Sequence, residues 1–270
     1  MFPMVRSLSI LLCALALSLT SGQSWANNRD LPPAPRALVI GDSNIYGHLG
    51  RYLDNSLQAL GFRVVREGRP TSGLARPDFY DWTIRADQLI EEHRPHVVVM
   101  MFGGNDGQRI ESVNPNWERV HWKEEVGWRE AYAERVYILA DLLRGSARRV
   151  FLLSPTNRRS PTARAKCDRI RQVQERAVRG MERVTWVDMW PMSSDTHGRF
   201  LDDSINAFGD KVRYRRSDGI HLTQSGGVRV GRQLVTRLVN EGLLASGDAS
   251  APGPLSPPPP TIAGAYTPPW

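Results

Sequence analysis

Two patterns of apolar residues alternate along this chain. Short, mostly apolar runs occur at Ala37 to Ile40, Phe62 to Val65, His96 to Phe102, Val150 to Leu153 and Val184 to Val187, and runs of this length bounded by turn residues predict strands. Val97 to Met101 shows no polar alternation at all, as expected of a central strand covered on both faces. Between the runs lie stretches with apolar residues at helical spacing. They predict helices near Gly47 to Leu60, Asp81 to Glu92, Gly127 to Arg144, Thr162 to Val178 and Thr223 to Asn240. In the third, Trp128, Tyr132, Val136, Leu139 and Leu143 form one stripe, which is expected to be core.

Strand and helix in strict alternation predict an α/β fold with βαβ crossovers. The expected architecture is a flavodoxin-like three-layer sandwich with a five-stranded parallel sheet, in which ligands bind beyond the carboxyl ends of the strands. Residues 36–245 are expected to form this domain.

The two ends have different compositions. Residues 1–26 combine Arg6, an apolar run from Leu8 to Leu19 and a small-residue site at Ser24-Trp25-Ala26, the pattern of a secretory signal peptide. The run is too short to cross a bilayer, and no later stretch is long enough, so stable membrane insertion of the mature chain is not expected. Residues 27–35, with Pro32, Pro33 and Pro35, form a linker. Residues 246–270 hold eight of the chain's 19 prolines and are expected to be a disordered tail. A periplasmic or secreted location follows from the leader.

Loss of the leader would leave 34 basic and 28 acidic residues and one cysteine, Cys167. A single thiol makes no internal disulfide, so stability must come from an ordinary core. All but three of the basic residues are arginines. Genome composition is the first explanation of that excess, and affinity for anionic envelope polymers is the functional one.

The candidate chemistry lies in four short islands: Gly41-Asp42-Ser43-Asn44, Thr71-Ser72-Gly73, Gly103-Gly104-Asn105-Asp106 and Asp218-Gly219-Ile220-His221. Each alone is an ordinary turn. Together they supply a nucleophile, a backbone donor, an amide donor, and an acid and base three residues apart, the inventory for acyl transfer through a tetrahedral oxyanion. Ser43 falls just after the first strand and before a helix, where the helix dipole favours an oxyanion. The spacing of Asp218 and His221 lets a carboxylate meet one imidazole nitrogen while the other faces Ser43. Thr223 is a natural cap for the final helix. The competing Gly-x-Ser-x-Gly elbow fails at Ile45.

In order and content the islands resemble the SGNH (GDSL-type) hydrolases, over about Arg36 to Glu241. The resemblance implies Ser43 as nucleophile, His221 and Asp218 as its base and acid, and the Ser43 N–H, Gly73 N–H and Asn105 amide as oxyanion donors. Asn44 stands where leucine is usual. Arg76-Pro77-Asp78 and Trp82 after the second island, the Trp128 and Tyr132 helix, and Arg216 to Thr223 resemble a periplasmic branch of the superfamily whose function is uncharacterised.

Asn44, Trp82, Arg158, Arg159 and Arg216 are candidates to touch substrate, the arginines because they follow the fourth strand or precede Asp218, with Arg215 alongside. The stretch Gln108 to Glu125, with Trp117, His121 and Trp122, reads as an insertion serving as a lid or substrate wall. His93 and His96 straddle Pro95 in the wrong geometry for two ligands on one face. No metal, cofactor or nucleic-acid partner is expected. The expected partner is an acylated carbohydrate or another small ester. The function expected is an exported serine esterase or acyltransferase acting on small O-acyl groups, acetyl above all, of envelope carbohydrate. A lipid or aryl esterase or thioesterase, and a catalytically idle glycan-binding module, are the alternatives.

Overall fold

The computed structural model describes residues 33–111 and 119–246. The signal segment, most of the linker, Trp117 and the tail from Gly247 onward lie outside the described residues.

Five parallel strands form the central sheet: β1 (Arg36–Gly41), β2 (Arg63–Gly68), β3 (Val97–Met101), β4 (Arg149–Leu153) and β5 (Val184–Val187), in the order β2-β1-β3-β4-β5. This is the flavodoxin-like order, whose switch point lies between β1 and β3. The crossovers are α1 (Ser43–Tyr46) with α2 (His48–Ala59), then α3 (Trp82–His93), α4 (Glu125–Ser146) and α5 (Pro161–Ala177), and the described residues end in α6 (Gln224–Asn240) and α7 (Leu243–Ser246).

The apolar runs are explained by two cores, one on each face. Leu38, Ile40, Val98, Met100, Val150 and Leu152 point to the core built with α3, α4 and α5. Their neighbours Ala37, Val39, Val97, Val99, Phe151 and Leu153 point to the core built with α2 and α6. The α4 stripe is core throughout: Trp128, Tyr132, Val136, Leu139 and Leu143 are fully buried.

Two differences from the sequence pattern have simple causes. Strand β2 continues through Arg66 and Glu67 to Gly68. It is an edge strand, and an edge tolerates charge, so the apolar run stops before the strand does. Glu67 is held there by Arg85 of α3 at 2.7 Å. A short antiparallel hairpin, β6 (Asp203–Ile205) with β7 (Lys211–Arg213), was not expected. Its strands are three residues long with one apolar residue each, and Phe208 at its tip is exposed, so periodicity gives no signal.

Helix α6 packs on α2 through glycine. A Cβ at Gly227 would overlap His48, and one at Gly231 would overlap the Tyr52 ring. This packing seats the helix behind His221 directly against the helix behind Ser43.

Candidate active site

The turn after β1 is fixed from several directions. Gly41 lies so close to β3 that a Cβ would overlap the Met101 carbonyl, and Asp42 N–H donates to that carbonyl at 3.1 Å. The Asp42 side chain, 1% exposed, caps α1 by accepting from Asn44 N–H at 2.8 Å and from the Asn44 amide at 3.0 Å. Its other oxygen accepts from Gly104 N–H at 3.2 Å. Ser43 is thereby set at the carboxyl edge of the sheet.

Ser43 Oγ lies 2.9 Å from His221 Nε2, across 178 residues of chain. His221 Nδ1 lies 2.8 Å from Asp218 Oδ2. Asp218 Oδ1 accepts from the N–H groups of Ile220 at 2.7 Å and His221 at 3.0 Å. Burial pushes the Asp218 carboxyl up, but the His221 ring and the two backbone N–H groups outweigh it and hold the group down at about 2. An ionised carboxylate only accepts, so His221 carries its proton on Nδ1 and turns a bare Nε2 to the Ser43 hydroxyl. Thr223 caps α6 through Gly226 N–H at 3.1 Å, which holds the His221 loop at the helix entry.

The loops after β2 and β3 are bound to each other. The Asn105 amide donates to Ser72 O at 2.8 Å, which leaves its second amide hydrogen uncommitted. Neither Ser43 N–H nor Gly73 N–H has an acceptor among the described residues. Gly73 is glycine because of close approach and not because of positive φ: a Cβ there would overlap the Asp106 carboxylate, and the positive φ of this turn, 65°, falls at Thr71.

Asp106 is the residue whose weight the islands do not disclose. It is fully buried, and its Oδ1 accepts from Ala75 N–H at 2.9 Å while Oδ2 accepts from the Tyr132 hydroxyl at 2.8 Å. Burial pushes its carboxyl up to about 6 against the pull of those two donors. Burial and the adjacent Asp106 push the Tyr132 hydroxyl well above 10. The buried pair therefore clamps the Gly73 loop from below.

The expected substrate-contact residues divide sharply. Trp82 is 1% exposed and donates from Nε1 to Ser72 Oγ at 2.9 Å. It supports the Gly73 loop from the core and is not at the surface. Arg158 is 2% exposed, its Nη1 donating to Ile220 O at 3.1 Å. Arg215 is 1% exposed and donates to the same carbonyl at 2.8 Å and to Thr156 Oγ1 at 3.2 Å. Burial first, and then Arg158, pull Arg215 below its ordinary value. These two arginines hold the loop ahead of His221 and do not form a rim. Arg159 is paired with Asp202 at 2.9 Å. Arg216 alone of the four faces the cavity beside Ser43, where Asn44 also contributes a wall.

That cavity has a volume of about 290 Å³. Ser43 and His221 line it, with Tyr46, Leu49, Pro70 and Leu222 as its apolar side and His48, Arg51 and Arg216 as its polar side. The sequence reading missed Tyr46, His48 and Arg51, although they lie in the first turns after Ser43. The described flanks of the 108–125 insertion are not among its walls. Ile110 bridges Val120, and Trp122 packs edge-on against Trp128 at 4.4 Å with Arg169 over its face at 4.1 Å. This part of the insertion is bound to α4 and α5 and is not a lid. Among the described residues no three His, Cys, Asp or Glu side chains gather as metal ligands do, and no helix is long and apolar enough to cross a membrane.

The family described as "Protein of unknown function (DUF459)" matches residues 36–237, and the chain belongs to it. No curated protein matches the chain. Among solved structures it is similar to LAE5, an alpha/beta hydrolase enzyme from the metagenome of Lake Arreo, with TM-score 0.54 and 17% identity over 79% of this chain and 98% of that one. It is also similar to a catalytic mutant of Axe2, an acetylxylan esterase from Geobacillus stearothermophilus, with TM-score 0.55 and 15% identity over 77% and 95% of the two chains. At these identities the likeness establishes a shared fold.

Proposed function

We propose that this DUF459 member is an exported serine esterase or acyltransferase that acts on small O-acyl groups, acetyl above all, of envelope carbohydrate. One observation carries the reading: the continuous chain from Ser43 Oγ to His221 at 2.9 Å and from His221 to Asp218 at 2.8 Å. Ser43 Oγ attacks the ester carbonyl as His221 Nε2 takes its proton, and Asp218 stabilises the imidazolium. The tetrahedral oxyanion is met by the Ser43 and Gly73 N–H groups and the Asn105 amide. His221 returns the proton to the departing alcohol, and water or a sugar hydroxyl then releases the acyl group by the same steps in reverse. The fold shared with an acetylxylan esterase and the signal-like leader support the carbohydrate and export parts of the reading.

The test is covalent labelling of the mature protein with a serine-directed phosphonate, read by peptide mass spectrometry, together with turnover of acetylated glycans. The expected result is one adduct at Ser43 and acetate release that disappears in Ser43→Ala. Labelling undiminished in Ser43→Ala overturns the assignment, and turnover confined to lipid esters overturns the carbohydrate reading.

A further inference from the structure

We infer that the cavity beside Ser43 reads negative charge, so that the ester it serves carries a carboxylate close to the scissile bond. This rests on the serine-esterase reading for the identity of the bond cleaved, and it names the kind of ester. Arg51 on α2 and Arg216 on the loop before His221 both wall the cavity. No acidic side chain walls it. Neither arginine forms an ion pair with a described carboxylate, whereas nearby Arg66 and Arg159 are each paired, at 3.2 and 2.9 Å.

The two guanidiniums act on a common neighbour. Arg51 Nη2 lies 3.1 Å from His48 Nδ1, and because arginine only donates, His48 accepts there and carries its proton on Nε2. Burial, Arg51 and Arg216 together keep His48 below its usual range, so it stays a neutral donor. Arg216 is placed against the catalytic histidine by backbone, its N–H donating to His221 O at 2.8 Å. Two cations without an ion-pair partner among the described residues and a neutral N–H thus share one small cavity with the nucleophile and the base. A planar carboxylate matches the guanidinium fork with two parallel hydrogen bonds. Two sources have this chemistry: the free acid of a dicarboxylate hemi-ester, on the acyl side, and a uronic-acid sugar, on the alcohol side.

The test uses Ser43→Ala protein, so that binding is measured without turnover. Calorimetric titration compares monomethyl glutarate with methyl pentanoate, and the methyl glycoside of 4-O-acetylglucuronic acid with that of 4-O-acetylglucose. At least one anionic ligand is expected to bind about tenfold or more tightly than its neutral counterpart, with the ratio shrinking at high salt as charge is screened. Which pair shows the preference identifies the half of the ester that lies in the cavity. Arg51→Gln and Arg216→Gln are expected to bring the ratio towards one, and Arg51→Lys to restore part of it. Equal binding of charged and neutral ligands, or a ratio unmoved by both glutamine variants, overturns the inference. A failure of phosphonate labelling at Ser43 would instead strike the esterase reading and leave this binding result standing.

Discussion

The Tyr132 hydroxyl donates to Asp106 Oδ2 at 2.8 Å, in a position where both side chains are fully buried. The other Asp106 oxygen holds Ala75 N–H, so a helix in the core reaches the Gly73 loop through one carboxylate. Because Asp106 is held up at about 6, the folded state binds its proton more tightly than the unfolded state does. Its ionisation therefore lowers stability as pH rises through the window from about 4 to about 6, by up to about 3 kcal/mol. Asp106→Asn keeps an acceptor for Ala75 and a donor for Tyr132. Subtracting its denaturation free energies from those of wild type between pH 4 and 7 is expected to isolate this slope. Parallel curves would show that Asp106 does not titrate there.

His221→Ala is expected to remove more activity than Asp218→Asn. Without the base only the oxyanion donors and binding remain, a loss of about 10⁶-fold in kcat by analogy with a serine protease, against about 10⁴-fold for the acid. Asp218 is held at about 2, so it stays ionised across the assay range and contributes no limb to the pH profile. Single-turnover rates of both variants on an activated acetate ester check the order. A His221→Ala protein as active as wild type would reject the triad.

Arg215 Nη2 is buried without a hydrogen-bond partner, while its Nη1 holds Ile220 O. Arg215→Met keeps the volume and removes an unpaired buried charge, which is often neutral or stabilising. It also removes one of the two donors to the carbonyl next to His221, leaving that of Arg158. The expected outcome is an unchanged or raised Tm with kcat lower by roughly 10- to 100-fold, since small displacements of a catalytic group cost that much. A variant with falling Tm and intact kcat would make Arg215 purely structural.

The cavity holds only about 290 Å³, and Arg51 and Arg216 stand among its walls beside Tyr46, Leu49, Pro70 and Leu222, which suits a short acyl group. Among uncharged p-nitrophenyl esters, kcat/KM is expected to be highest for acetate and to fall by butyrate or hexanoate. A lipase-like groove would instead gain about 0.8 kcal/mol per methylene buried. Octanoate turned over best would favour the lipid esterase alternative.

The sheet and the four islands were legible because each is written in consecutive residues: Val97 to Met101 as one apolar run, and Asp218 and His221 three positions apart. What could not be read is set by side-chain direction. Arg215 and Arg216 are adjacent and both charged, yet Arg215, opposite Leu222 in a bridge, points into the protein and Arg216 points out. A sequence in which both are arginine hides that alternation. Trp82 is a substrate-contact candidate by sequence, but its place at the first turn of α3 turns it into the core. The Asp106–Tyr132 bond joins residues 26 apart, and the buried stripe that holds Tyr132 gave its burial without its partner. For the cavity there was a usable signal: polar His48 and Arg51, one helical turn apart in a helix that opens directly after the nucleophile.

The glycine contact of α6 on α2 has a consequence for the order in which this molecule comes into being. A chain emerging from the ribosome holds Ser43 and its helix long before it holds His221, and His221 is set beside Ser43 only when Gly227 settles against His48 and Gly231 against Tyr52. The proposed reactivity of Ser43 would therefore be withheld until nearly the last of the described elements has docked. A truncated chain lacking α6 would carry Ser43, both donor loops and all five strands of the central sheet, and is expected to be inert.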